Sequence, residues 1–271
     1  MTELEIKKEA EKIQQMYRDD PRSETFNAIP YGPIGTGKTT MLGTARRPLH
    51  VDSFDPGGTK VLLDKEGNYP PEVYCDTRWE VENPFQPRVI REWDEVFHHR
   101  KRIGYYDRLG TYAIDSATTW AQDIMYEVMK KAGRAGGVPF QQDWLPQMTI
   151  IENAMREMVS LPCDCVLICH DDSDKDESTG RMFVGIMITG KLKRRIPLIF
   201  DEIYYVHTKE TSKGIEYQLL TRPTGLFQAR TRLGKGGGLD TYEKPDFKHI
   251  LRKVGLPTED RPPLLGPNNK E

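Results

Sequence analysis

Apolar residues come in two rhythms along the chain. In the first half, short apolar runs alternate with stretches whose apolar residues recur at helical spacing. The runs Phe26 to Tyr31, Leu49 to Ser53, Glu72 to Asp76, Thr111 to Asp115 and Cys165 to His170 read as strands. Between them, Lys38 to about Arg46, Pro87 to His99, Ala117 to Lys131 and Gln147 to Ser160 read as helices. Strand and helix in this alternation predict an α/β fold with a mostly parallel central sheet flanked by helices. Pro30 has no N–H to give a sheet ladder, so the first strand is expected to stop at about Ile29.

After His170 the rhythm shifts. Asp171 to Gly180 is acidic and reads as turn, while Arg181 to Ile188, Glu202 to Thr208, Ile215 to Thr221 and Phe227 to Arg230 read as successive strands. They predict an antiparallel C-terminal extension of the sheet. The flanks differ from this core. Residues 1–24 form a charged segment whose sparse apolar residues Ile6, Ile13 and Met16 suit a surface or partner-facing helix. Residues 236–271 form a Gly/Pro-rich tail, with Gly236 to Gly238, Pro262, Pro263 and Pro267, around one short helix at Asp246 to Val254. The core between them is expected to span residues 25–235.

Composition narrows the class. With 37% hydrophobic residues there is enough apolar material for one core, and no run approaches the roughly 18 apolar residues of a membrane-spanning helix. Charged residues in Met1 to Lys8 do not suit a secretory leader, so a soluble chain in a cytoplasm is expected, with no membrane partner. A net charge of -2 means that nucleic-acid binding must come from local basic clusters. Cys163, Cys165, Cys169 and His170 have the spacing of a metal site. On a strand, however, Cys165 and Cys169 stand roughly 13 Å apart, and two sulfurs on one zinc must lie within about 4 Å. Asp171, Asp172, Asp174 and Asp176 lack the Gly and Glu positions of a calcium loop.

The chemistry concentrates in Gly32, Pro33, Ile34, Gly35, Thr36, Gly37, Lys38 and Thr39, followed by Thr40. Every fixed position of the phosphate-binding loop is met, with a strand before it and a helical run after it. Glycines let the backbone close around a β-phosphate, Lys38 reaches the β and γ phosphates, and the Thr39 hydroxyl is placed for magnesium. ATP and Mg2+ are the ligands this implies. Asp115, at the end of an apolar strand downstream, is the matching carboxylate for the magnesium shell, so Thr39 and Asp115 are the expected metal residues.

With these motifs the chain resembles the RecA-like ATPases, over roughly Thr25 to Gly234. It is most similar to the compact phage-type members that look like a RadA core and act in single-strand annealing or recombination. Ile114, Asp115 and Ser116 resemble the family's second motif, and the strand Val166 to Cys169 ending in His170 is similar to the one whose terminal polar residue senses the γ-phosphate. Gly190 to Asp201 looks like the segment closing the central region of the phage proteins. Arg230 and Arg232, in Arg230 to Gly234, resemble the basic pair that reaches a neighbour's nucleotide, which implies a homo-oligomer with active sites between subunits. The family's catalytic glutamate is missing after the second strand. Asp55 or a residue such as Glu80 must then activate water, and no peptide that docks one subunit on the next can be identified.

Two basic segments bear on DNA. Lys130, Lys131 and Arg134, with the aromatic Trp144 nearby, suit a single strand, as do Lys193, Arg194 and Arg195. Each has a plainer reading: a basic helix C-terminus followed by a linker for the first, and a solvated surface facing the acidic Asp171 to Glu177 for the second. The resemblance implies an ATPase that acts on single-stranded DNA, with stimulation by DNA as a further expectation and a single-strand-binding protein as a further candidate partner. Two rivals stand beside it, an annealing protein using ATP only as an assembly switch and a P-loop small-molecule kinase.

Overall fold

The computed structural model describes residues 2–16, 20, 24–175, 180–233 and 238–265 of the chain. Asp176, Glu177, Gly234, Gly236 and Pro267, named above, lie outside the described residues. Helix α1 (Glu3–Met16) opens the chain with every residue exposed. Then come β1 (Asn27–Tyr31), α2 (Lys38–Leu42), β2 (Leu49–Ser53), β3 (Val73–Asp76), α3 (Val89–Arg102), β4 (Thr111–Asp115), α4 (Ala117–Lys131), α5 (Trp144–Met158) and β5 (Asp164–Ile168). The remainder holds β6 (Asp171–Lys175), β7 (Met182–Ile186), α6 (Leu192–Arg195), β8 (Glu202–Thr211), β9 (Gly214–Leu220), β10 (Tyr242–Glu243) and α7 (Phe247–Val254).

Eight strands form one sheet in the order β10-β9-β8-β1-β5-β4-β2-β3. From β8 to β3 all neighbours are parallel, and β9 and β10 add on antiparallel. Alternation places side chains on two faces. Tyr112, Ile114, Cys165 and Leu167 join the core under α3, α4 and α5, whereas Ala113, Val166 and Ile168 join the one under α2 and α7. Parallel strands begin at one end of the sheet and finish at the other. The phosphate loop, Asp115 and His170 all follow strand ends, so the topology gathers them on one rim.

Several expectations need correction. β1 runs through Pro30 to Tyr31, because the Pro30 carbonyl still accepts the Cys169 N–H at 3.1 Å and only one bond is forfeited. α2 stops at Leu42: the Thr44 and Ala45 amides bond three residues back, the Thr44 hydroxyl takes the Met41 carbonyl, and Arg46 is drawn into a buried pair with Asp164. Asp171–Lys175 is a strand, paired with β7 in a separate two-stranded sheet, its polar side chains half or fully exposed. β8 lies parallel to β1, so the antiparallel part starts only at β9. Phe227 to Arg230 forms isolated bridges to Val184 and Ile203 instead of a strand. Cys163, Cys165 and Cys169 are buried as free thiols in the core.

Candidate nucleotide site

The loop after β1 is shaped by contacts that exclude larger residues. A Cβ on Gly32 would lie 2.2 Å from the Val206 carbonyl oxygen of β8, and Gly37, at φ 84°, caps α2 in the left-handed region with the Tyr217 ring beside it. Lys38 is buried, and its Nζ donates to the carbonyls of Gly32 at 2.8 Å and Pro33 at 2.7 Å. Burial lowers its pKa against the upward pull of Asp115, Asp171 and Asp55. The Thr36 hydroxyl donates to the same Pro33 carbonyl.

Across the loop, the Thr39 hydroxyl donates to Asp115 Oδ2 at 2.6 Å. Burial and the nearby Asp55 charge push the Asp115 carboxyl up to about 6, despite the Thr39 bond and the Lys38 charge. A lysine donor, a hydroxyl and a carboxylate at the mouth of a glycine loop are the donor set that Mg-nucleotide requires, so Lys38, Thr39 and Asp115 fit that ligand.

Asp55 stands next to Asp115 because the Phe54 amide donates to the Asp115 carbonyl and anchors the turn after β2. Ser116, the N-cap of α4, donates to Asp55 Oδ1 at 2.9 Å, the Thr119 hydroxyl joins it there, and His170 Nε2 reaches Oδ2 at 3.2 Å. Burial works to raise the Asp55 pKa, but the bonds from His170, Thr119 and Ser116 outweigh it and hold the carboxyl below its ordinary value. Glu80, the other acid considered for activating water, accepts from the Ser53 hydroxyl at 2.7 Å and the Gly57 amide at 2.9 Å, so it braces the turn after β2.

These groups line a cleft of about 1050 Å³. Ile34, Gly35, Gly37, Lys38, Thr39 and Thr40 form one side, and Asp55, Asp115 and His170 stand near its floor. Ile215 to Gln218 of β9 and Tyr242 to Pro245 complete the lining. Residues 26–233 match the family model described as an AAA domain. The chain belongs to the AAA domain family. Its fold is therefore that of a nucleotide-binding P-loop ATPase domain, with the sheet and loop described above. No curated protein matches the chain.

Among solved structures, this AAA domain chain is similar to a KaiC-like protein from the hyperthermophilic archaeon Pyrococcus horikoshii (12% identity, 73% of this chain and 79% of that one, TM-score 0.41). It is also similar to a type III secretion system ATPase from pathogenic bacteria (12% identity, 68% and 52%, TM-score 0.42). A third is the flagellar accessory protein FlaH of Methanocaldococcus jannaschii (10% identity, 72% and 76%, TM-score 0.35).

Other residues singled out in the sequence lie elsewhere on the AAA domain. Arg230 bridges Ile203 near the start of β8, away from the rim with the phosphate loop, and its guanidinium donates to the carbonyls of Pro197 and Phe200. Arg232 donates to the Leu198 carbonyl at 2.8 Å. Lys130 donates to the Pro87 carbonyl, Lys131 lies 3.6 Å from Glu127, and Arg134 pairs with buried Asp143 and covers the Phe140 ring. Lys193 pairs with Asp172, Arg194 lies over Phe183 at 5.8 Å, and Arg195 pairs with Glu152 at 2.9 Å.

A second cleft of about 600 Å³ brings Trp144 and Lys193 together, with Met148, Ile188 and Lys191. Sequence reasoning missed the hydroxyls of Ser116 and Thr119. Their signal was legible, since they take the N-cap and third position of a helix directly after Asp115. Nothing in the sequence marks Tyr217 or Tyr242 as cleft residues. No helix is long and apolar enough to cross a membrane among the described residues.

Proposed function

We propose that this chain is a magnesium-dependent ATPase that works on single-stranded DNA as an assembly of identical subunits. The observation that carries the reading is the way the two clefts are joined. Thr118 accepts the His170 N–H at 3.1 Å and donates to the Met187 carbonyl at 3.0 Å, while the Met187 amide donates to the His170 carbonyl at 2.8 Å. His170 and Thr118 thus link the floor of the nucleotide cleft to the segment Met187 to Lys193 on the wall of the second cleft. There Trp144 offers a stacking ring beside Lys191 and Lys193, the latter held by Asp172 of the same lining, and a ring beside lysines suits unpaired bases on a charged backbone.

Lys38 holds the β and γ phosphates, and Thr39 and Asp115 hold the metal. Magnesium supplies charge neutralisation on the phosphates. Of the two arginines considered for a neighbour's site, Arg232 keeps 44% of its side chain exposed and is the better placed to meet a second copy.

A second reading, ATP as an assembly switch without turnover, draws on the full hydrogen bonding of Asp55 and Glu80. Phosphate release measured with and without single-stranded DNA separates the two. Lys38→Ala is expected to abolish tight ATP binding. In titrations of a labelled oligonucleotide, Lys193→Gln is expected to flatten the salt dependence by about 0.7 in log–log slope for one phosphate contact. Trp144→Ala is expected to cost roughly 1–3 kcal/mol with the slope unchanged. No oligonucleotide binding at low salt, with or without ATP, ends the DNA reading and leaves the second cleft to a small phosphoryl acceptor.

A further inference from the structure

We infer that His170 is the proton acceptor for the attacking water in this cleft and that Asp55 is its positioning residue. The inference rests on the ATPase reading above. Both oxygens of Asp55 are occupied, Oδ1 by the Ser116 and Thr119 hydroxyls and Oδ2 by His170 Nε2. Glu80 is occupied as well, and Asp115 accepts from Thr39. Glu243, also in the lining, accepts from the Asp240 amide, His249 and Lys253. Glu216 sits on β9, on the opposite side of β1 from β4 and β2, and so away from Asp115 and Asp55.

What is left near the floor of the cleft is Nδ1 of His170, to which nothing hydrogen-bonds among the described residues. An imidazole whose Nε2 faces a carboxylate carries its proton there and presents a lone pair at Nδ1. This is the arrangement in which an aspartate fixes the tautomer of a histidine base and then stabilises the imidazolium. Asp55 suits that task, since the Ser116 and Thr119 hydroxyls fix its Oδ1 and leave Oδ2 turned to the ring. The ring is also fixed from its backbone, through Thr118 on one side and Met187 on the other. Other ionisable groups around it include Lys38 and Asp115 in the cleft and Cys169 and Asp171 on either side in the chain.

In the step this assigns, the water oxygen forms a bond to the terminal phosphorus of ATP. The bond from that phosphorus to the bridging oxygen breaks, and its electron pair leaves with ADP. The water proton passes to His170 Nδ1 and is returned to the departing phosphate.

The test uses the full chain, with phosphate release at saturating Mg-ATP and affinity for a fluorescent ATP analogue measured side by side. His170→Gln keeps an N–H for Asp55 but has no basic nitrogen. It is expected to lose about 10²- to 10⁴-fold in turnover with affinity within about twofold of wild type. His170→Ala is expected to lose as much and to recover part of it with added imidazole, which a purely structural or phosphate-sensing role would not allow. Turnover of His170→Gln within about tenfold of wild type overturns the proposal. So does a folded, nucleotide-binding His170→Ala that imidazole fails to rescue. A wild-type chain that binds ATP but releases no phosphate overturns the hydrolysis reading itself, a result distinct from loss confined to the variants.

Discussion

Asp52 and Asp115 are both buried at or near the ends of adjacent parallel strands, yet their surroundings differ in kind. Asp52 is enclosed by five side-chain donors. His50 Nε2, Trp79 Nε1 and Arg100 Nη1 each lie 3.0 Å from Oδ1, while Trp93 Nε1 at 2.9 Å and the Tyr112 hydroxyl at 2.7 Å serve Oδ2. Burial alone would raise its pKa, but His50, Arg100 and Tyr112 hold it far below the ordinary carboxylate range. Asp115 has one such donor, Thr39, and its carboxyl rises to about 6. The lesson is that the number of donors, more than depth, divides a structural acid from one with capacity left for a cation.

His50, Asp52 and Asp76 do come within 4.8 Å of one another, which suggests a metal site on spacing alone. Arg100 already bridges the two carboxylates at 3.0 and 2.5 Å, so that cluster has its cation in the protein.

The comparison breaks most visibly at Asp52. Asp52→Asn removes the charge that Arg100 faces and turns an amide N–H toward donors, so it is expected to cost about 3–5 kcal/mol of stability in urea unfolding. A loss below about 1 kcal/mol would mean that the five donors are not what holds the acid there.

Next in size is the pH dependence of Asp115. Its folded-state pKa of about 6 lies above the ordinary 3.8 of an unfolded chain, so protonation favours folding. Its contribution is complete below about pH 4 and is lost as pH rises through about 6, a change on the order of 3 kcal/mol. Asp123, buried and raised to about 8, adds in the same direction over a wider window. Asp52 runs the other way, with its stabilisation complete above about pH 4 and lost only in stronger acid. Urea stability of the nucleotide-free protein at about pH 4.5 minus that at about pH 7.5 should therefore be smaller in Asp115→Asn than in wild type. An unchanged pH difference would refute the raised value.

Asp115→Asn is expected to lower turnover about 10- to 100-fold, as removing a carboxylate that orients metal ligands does. Its stability at neutral pH should be equal to or above that of wild type. Comparable turnover at saturating magnesium would move the metal role to another residue.

How much of this was legible depends on what sets each residue. The phosphate loop is readable because the bound phosphates dictate glycines, Lys38 and Thr39 at fixed spacing. β4 and α4 fall where the pattern puts them, since Thr111–Asp115 is wholly buried and Ser116 marks the helix start. β6 was hidden because a strand half open to solvent carries no apolar run; its ladder with β7 makes it. The shell of Asp52 gathers residues from β2, the turn after β3, α3 and β4, and that of Asp55 joins positions as far apart as His170. Such sets are created by the fold, and no local pattern announces them. Arg230 is hidden in another way: the sequence shows a basic pair after the last core element, while the carbonyls of Pro197 and Phe200 that engage its guanidinium are brought there by the fold.

The smallest expected effect sharpens the comparison most. Tyr112→Phe removes one of the five donors, keeps the volume of a fully buried ring and leaves no unpaired polar group of its own. A hydrogen bond to a charged acceptor contributes about 1.5–3 kcal/mol when it is the one that matters. Here Trp93 remains on the same oxygen, and His50, Trp79 and Arg100 remain on the other, so the carboxylate stays ionised and paired. The cost should be about 1 kcal/mol in urea unfolding, with turnover and the pH window of Asp115 unmoved. A loss equal to that of Asp52→Asn would show that the donors act as one indivisible network, and counting them would then say nothing about which buried acid is free to work.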